Sequence, residues 1–365
     1  MKIAIVLGTR PEIIKFSPII RECIRVSQDF FILHTGQHYS YNMDKIFFEQ
    51  LELPEAKHNL DMGSGTHAEQ TGKMLIGIEK ILLKEKPDIV LVEGDTNTVL
   101  AGALAAVKLG IKVGHVEAGL RSYDRQMPEE INRILADHCS DLLFAPTLKS
   151  EQTLLSEGIL ESKVFVAGNT IVDAVYQNLR ISKKKRNVQA GLDLEKGAYF
   201  LATVHRQENV DNEQRFRGIL RGLELVQKHT GFPIIYPVHP RARKQLGTFR
   251  IRARGVKTVM PLDYLNFLRI ESEAKLVLTD SGGVQEEACI LGVPCVTLRY
   301  NTERPETIEV GANILAGADP NEILKKTQLM LNRKNQWKNP FGDGDAGKKI
   351  VQTLTKEIRA NRMRR

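Results

Sequence analysis

The feature that most constrains this chain is a repeated alternation of short β-rich apolar runs with longer amphipathic stretches. Runs at 3–7, 30–34, 89–92, 112–115, 142–144 and 164–166 predict strands, and the patterns at 11–23, 66–84 and 98–109 predict helices between them. A second series opens at 199–203 and continues through 233–237, 256–259, 276–279 and 295–298. Alternation of this kind gives parallel sheets with helices on both faces. Two such series, in a chain of 365 residues that exceeds one ordinary core, imply two doubly wound, Rossmann-like α/β domains facing a cleft. The expected division is a first domain over 1–170 and a second over 171–346, with a last helix at about 347–365 packing back on the first. The stretch 168–197 joins them and carries the basic run Lys183, Lys184, Lys185 and Arg186, read as an exposed helix end or loop.

Composition narrows the partners. With 42% apolar and 26% charged residues, the chain is of the globular class and has no disordered majority. No apolar run approaches the roughly 20 residues that cross a bilayer. The apolar start meets Gly8, Thr9 and Arg10 at once, so it reads as a buried strand and not a signal peptide, and the expected location is cytoplasmic, with no membrane partner. Cys23, Cys139, Cys289 and Cys295 form no C-x-x-C pair and read as reduced thiols. The net charge of +8 is spread over separate clusters without interleaved aromatics, which reads as a solvated surface with no nucleic-acid partner.

In open α/β sheets ligands bind beyond the carboxyl ends of the strands, so the loops after strands are where chemistry is sought. The first strand runs into Gly8-Thr9-Arg10-Pro11-Glu12, a helix start that favours an anion, with Arg10 and Lys15 adding positive charge. The next two loops carry Glu93-Gly94-Asp95-Thr96 and His115-Val116-Glu117, and Glu129 follows at another helix start. Taken singly, Asp95 and Glu129 read equally well as helix caps. Three carboxylates on one rim repel and shift one another toward acid and base roles near neutral pH. The second series adds His205 and Arg206 after its first strand, His239 after the next, and the turn Ser281, Gly282, Gly283 opening a helix. Backbone N–H groups in such a turn can hold a phosphate, and Glu286 or Glu287, one turn in, can accept both hydroxyls of a ribose. Neither G-x-G-x-x-G after the first strand nor a Walker motif is present, so NAD and ATP sites lack their usual signatures.

These segments stand in a familiar order: GTRPEIIK (8–15), TGQH (35–38), EGDTNT (93–98), HVEAGLRS (115–122), MPEEINR (127–133), VHRQEN (204–209), PVHP (237–240), DSGGVQEEA (280–288) and TERPET (302–307). From residue 1 to about 350 the chain resembles the non-hydrolysing UDP-N-acetylglucosamine 2-epimerases. The resemblance implies a glycosyltransferase-B-like fold, no cofactor or metal, a UDP-N-acetylhexosamine substrate and a homodimer. It implies inversion at C2 by elimination of UDP to 2-acetamidoglucal and re-addition. It matches Asp95, Glu117, Glu129 and His205 to catalytic positions. Arg10, Lys15, His239, Ser281, Gly282, Gly283, Glu287 and Arg304 match substrate-binding positions, with Glu287 on the ribose and the Ser-Gly-Gly turn on the diphosphate. Gln37, Arg206 and His239 match a second, activating substrate site. Met62-Gly63-Ser64-Gly65 and Ser40 depart from the bacterial pattern near that second site. The alternative function is a glycosyltransferase of the same fold using UDP-N-acetylglucosamine.

Overall fold

The computed structural model describes residues 1–36, 41–185, 190–334 and 336–362; Gln37, Ser40, Arg186 and 363–365 therefore lie outside the described residues. Two compact units make up the chain, one formed by Met1–Gln177 with Phe341–Arg365, the other by Asn178–Pro340.

Among the described residues the first unit is built on seven parallel strands: β1 (Lys2–Leu7), β2 (Asp29–His34), β3 (His58–Asn59), β4 (Ile89–Glu93), β5 (Lys112–Val116), β6 (Leu142–Ala145) and β7 (Val164–Val166). Their order is β3-β2-β1-β4-β5-β6-β7. The chain winds outward from β1, then returns to pair β4 on its other side, so the loops after β1 and β4 part company there. Ile3, Ala4, Ile5, Val6 and Leu7 are buried on both faces, as a central parallel strand requires. The last helix, Ala346–Arg362, belongs to this unit and packs on the helix Arg10–Arg25. Its start is held by Asp173, whose carboxylate accepts from the N–H groups of Ala346 (3.2 Å) and Gly347 (3.0 Å). Gly347 lies so close to Pro18 that an added Cβ would stand only 3.0 Å from its backbone.

The second unit repeats the plan with six strands among the described residues: β8 (Phe200–Thr203), β9 (Ile234–Pro237), β10 (Val256–Val259), β11 (Leu276–Thr279), β12 (Cys295–Thr297) and β13 (Asn313–Leu315). The order is β10-β9-β8-β11-β12-β13, again all parallel. The reversal falls between β8 and β11. The two-sheet α/β architecture expected from the alternation is what the structure has. Two edge strands escaped that reading: β3 is the polar pair His58–Asn59, and β13 (Asn313–Leu315) has only two apolar residues, fewer than the runs read as strands. All four cysteines are free thiols. Among the described residues no helix is long and apolar enough to cross a membrane.

Candidate active site

In the first unit the reversal point gathers polar side chains from three loops. Gly8 follows β1, and a Cβ there would collide with the hydroxyls of Thr35 and Thr98, so the position is closed to other residues by space. Glu12, one turn into the next helix, accepts from the N–H groups of Gly8 (2.6 Å) and Thr9 (2.8 Å) and from the Thr96 hydroxyl (2.5 Å). It thereby ties the loop after β1 to the loop after β4. Burial pushes its carboxyl up to about 6 against those hydrogen bonds.

Lys15 stands one turn further along the same helix. Its ammonium lies 3.2 Å from Glu93 Oε1 and is in direct contact with Glu117 Oε2. Both carboxyls are nearly sealed from solvent, at 2% exposure for Glu93 and 7% for Glu117. β4 pairs β5 in register at Glu93 and Val116, which puts Glu93 beside the residue just before Glu117. Burial drives the Glu93 carboxyl well above its ordinary value; Lys15 opposes the rise and Glu117 adds to it. Asn169 donates to the other Glu117 oxygen at 3.2 Å.

Glu117 has φ +67°, a left-handed backbone uncommon outside glycine. A buried network holds it there. His115 Nδ1 meets Asp137 Oδ1 at 2.7 Å, Arg121 reaches the other Asp137 oxygen at 2.7 Å, and Gly119 N–H donates to that same oxygen at 3.2 Å. Asp137 sits on the helix Pro128–Cys139, so that helix clamps the whole 115–121 turn. The same helix contacts Asp95: Arg133 forms an ion pair with its carboxylate, and Asn132 donates to its backbone carbonyl at 2.9 Å. Glu129 lies exposed in the first turn of that helix. Asp95, Glu117 and Glu129 thus rest in three unlike environments. Glu93 and Glu117 both face the Lys15 ammonium, and Glu117 adds to the rise of the Glu93 pKa. Arg10 places its guanidinium 3.7 Å from Asp44 and over the Phe47 ring.

The second unit has its own gathering point between β8 and β11. Asp280, fully buried, accepts from the N–H groups of His205 (3.1 Å) and Arg206 (3.0 Å) and from Asn209 Nδ2 (3.1 Å). It locks the loop after β8 to the loop after β11. The His205 ring, with Nδ1 3.4 Å from Asp280, packs against the His239 ring at 5.6 Å. Burial lowers the His205 pKa, Asp280 resists, and His239 adds to the lowering. His239 caps the helix Pro240–Thr248, its Nδ1 accepting from Arg241 N–H at 3.2 Å, which leaves a neutral ring's proton on Nε2.

Ser281 is the N-cap of the helix Gly282–Leu291, and its own N–H is taken by the Thr279 hydroxyl at 2.9 Å. At Gly283 an added Cβ would meet nothing within 4 Å, whereas at Gly282 it would meet Glu303 at 3.4 Å and Arg206 at 3.8 Å; the N–H groups of this first turn have no intrahelical acceptor. Glu286 is engaged by Arg304 at 2.7 Å. Glu287 is buried with Glu271 and Tyr264, and burial pushes its carboxyl up to about 7. Arg206 lies 3.5 Å from Glu303, which Arg299 holds through two contacts of 2.9 Å. Among the described residues no three His, Cys, Asp or Glu side chains gather as metal ligands would.

Sequence reasoning singled out Asp95, Glu117, His205, His239 and the Ser281 turn because each follows a strand. It missed Glu93, Asp137, Asn169, Asp280 and Glu271. Of these, Glu93 and Asp280 are the opening residues of two motifs already in view, EGDTNT and DSGGVQEEA, and their place at the end of β4 and just after β11 was the available signal.

Comparison with known proteins bears on what this machinery does. A family model described as UDP-N-acetylglucosamine 2-epimerase matches residues 22–355. The chain is 59% identical to the UDP-N-acetylglucosamine 2-epimerase of Methanocaldococcus jannaschii over 362 residues, covering 97% of this chain and 99% of that one. It is 55% identical to the Methanococcus maripaludis protein of the same name over 360 residues, covering 97% and 98%. A crystal structure of the M. jannaschii enzyme in complex with UDP-GlcNAc and UDP superposes with a TM-score of 0.86 at 59% identity, over 97% of this chain and 99% of that one.

Proposed function

The chain belongs to the UDP-N-acetylglucosamine 2-epimerase family, and from that membership we propose that it inverts C2 of UDP-N-acetylglucosamine, reversibly, to give UDP-N-acetylmannosamine. The hydrogen on C2 of a sugar has no neighbouring carbonyl and is not acidic. Expelling UDP from C1 changes that: positive charge builds at C1 as the C1–O bond breaks, and the C2 proton becomes removable. Its bonding electrons form the C1–C2 double bond of 2-acetamidoglucal. Protonation of the opposite face and re-addition of UDP complete the inversion.

The observation that carries this reading is the buried Lys15–Glu117 pair, with Glu93 beside it, at the ends of β4 and β5 of the first sheet. Asp95, Glu117, Glu129 and His205 are assigned the catalytic roles. Arg10, Lys15, His239, Arg304 and the Ser281, Gly282, Gly283 turn are assigned to the substrate and its leaving diphosphate. Glu287 is assigned to the ribose. A transferase would need an acceptor and has no use for three carboxylates around the sugar, and the relatives and solved structures favour the epimerase. Arg206, His239 and Gln37 are assigned to a second, activating nucleotide-sugar site, and the assembly is read as a cytoplasmic homodimer, checked by light scattering.

Proton NMR of UDP-N-acetylglucosamine with the pure protein in deuterium oxide tests the mechanism. The product should carry deuterium at C2 and nowhere else on the ring. Full protium at C2 in product from active enzyme would overturn it.

A further inference from the structure

Lys15 carries one positive charge and faces two buried carboxyls, Glu93 and Glu117. If both were ionised, this nearly dry cluster would keep an uncompensated negative charge, a costly state. One proton held between the carboxyls removes that cost. Glu93 is the deeper of the two, at the end of a fully buried strand, whereas Glu117 has Lys15 on one oxygen and Asn169 on the other.

We propose that Glu93 is a positioning residue for the C2 proton transfer: as a neutral acid it donates to Glu117 and, with Lys15, keeps that carboxylate ionised and aimed as the base. This rests on the epimerase reading and adds to it a residue with no contact to substrate. The charged groups facing Glu93 are Lys15, Glu117 and Glu12, and the two other carboxylates both favour its neutral form. Burial acts the same way and is the larger influence. The proton taken from C2 goes to Glu117, so at that moment both carboxyls are neutral and Lys15 keeps its charge; release of one proton to solvent restores the starting state.

Three variants separate this from a packing role. E93A removes the donor, so the acidic limb of the kcat–pH profile should move to higher pH by roughly one unit, with kcat at neutral pH down tenfold or more and UDP affinity within about twofold. E93Q keeps a donor of the same shape and should return the limb and most of the rate. E117Q, which removes the base itself, should abolish epimerisation across the pH range while UDP affinity stays measurable. If Glu93 were instead ionised, E93A and E93Q would both relieve repulsion and move the limb to lower pH; that result, or identical limbs in all three Glu93 forms, overturns the proposal. An infrared difference spectrum of wild type minus E93Q at pH 7 needs no turnover. It should show a protonated carboxyl band that shifts in deuterium oxide, and its absence also overturns the proposal. If the wild type shows that band yet fails to epimerise, the functional reading has failed and the Glu93 assignment stands.

Discussion

At the scale of single residues, environment decides role more than residue type does. Glu286 and Glu287 are neighbours in one helix, yet the first is ion-paired with Arg304 and the second is buried with another carboxyl and a tyrosine. A carboxyl pushed to about 7 must ionise before it can accept two ribose hydroxyls. UDP affinity should therefore rise between pH 6 and pH 8 in the wild type, and calorimetry of Glu287→Gln should show a flat dependence. Glu287→Ala should weaken UDP roughly ten- to a hundredfold, the loss expected for a charged hydrogen-bonding contact of about 1.5–3 kcal/mol. Legibility at this scale followed position. Asp95, Glu117 and Ser281 were readable because each lies in a loop after an apolar run. Glu93 was not, because the last side chain of a strand faces either way until its neighbours are placed, and the Lys15 that claims it comes from a helix distant in sequence.

At the scale of elements, the turn after β5 shows how a loop of fixed shape is made from a short sequence. Glu117 in a left-handed backbone needs Gly119, also at φ +82°, to return the chain past the Ser150 carbonyl. A Cβ at Gly119 would strike that carbonyl as well as strain φ, so Gly119→Ala should cost about 3 kcal/mol in urea denaturation and lower kcat by disturbing Glu117. Most strands and helices were legible because an apolar period runs through them. The strands β3 and β13 were not: pairing with a neighbouring strand, and no pattern of their own, makes them strands. The turn's network was likewise hidden, since no pattern along the chain couples Asp137 to His115, Gly119 and Arg121.

At the scale of the whole molecule, several buried acids hold protons that an unfolded chain would release. Asp173, pushed by burial to about 6, is one. Between its ordinary value and 6 the folded state binds more protons than the unfolded, so this contribution to stability is present at low pH and is lost as pH rises through 6. The stability of wild type relative to Asp173→Asn should therefore fall by roughly 1–3 kcal/mol from pH 4 to pH 7, read from denaturation midpoints. The two-sheet plan was legible because the alternation breaks and restarts. The Asp173 contact was not, because it joins residues that lie on either side of the entire second unit. That contact also sets an order of events during synthesis. Residues 178–340 leave the ribosome after most of the first unit and before the helix that completes it. At about 5–20 residues per second, the first unit's nascent chain waits on the order of ten seconds with the surface for its final helix uncovered. The inserted second unit is the first part of the chain able to finish folding, and the earliest-made strands are among the last to be sealed.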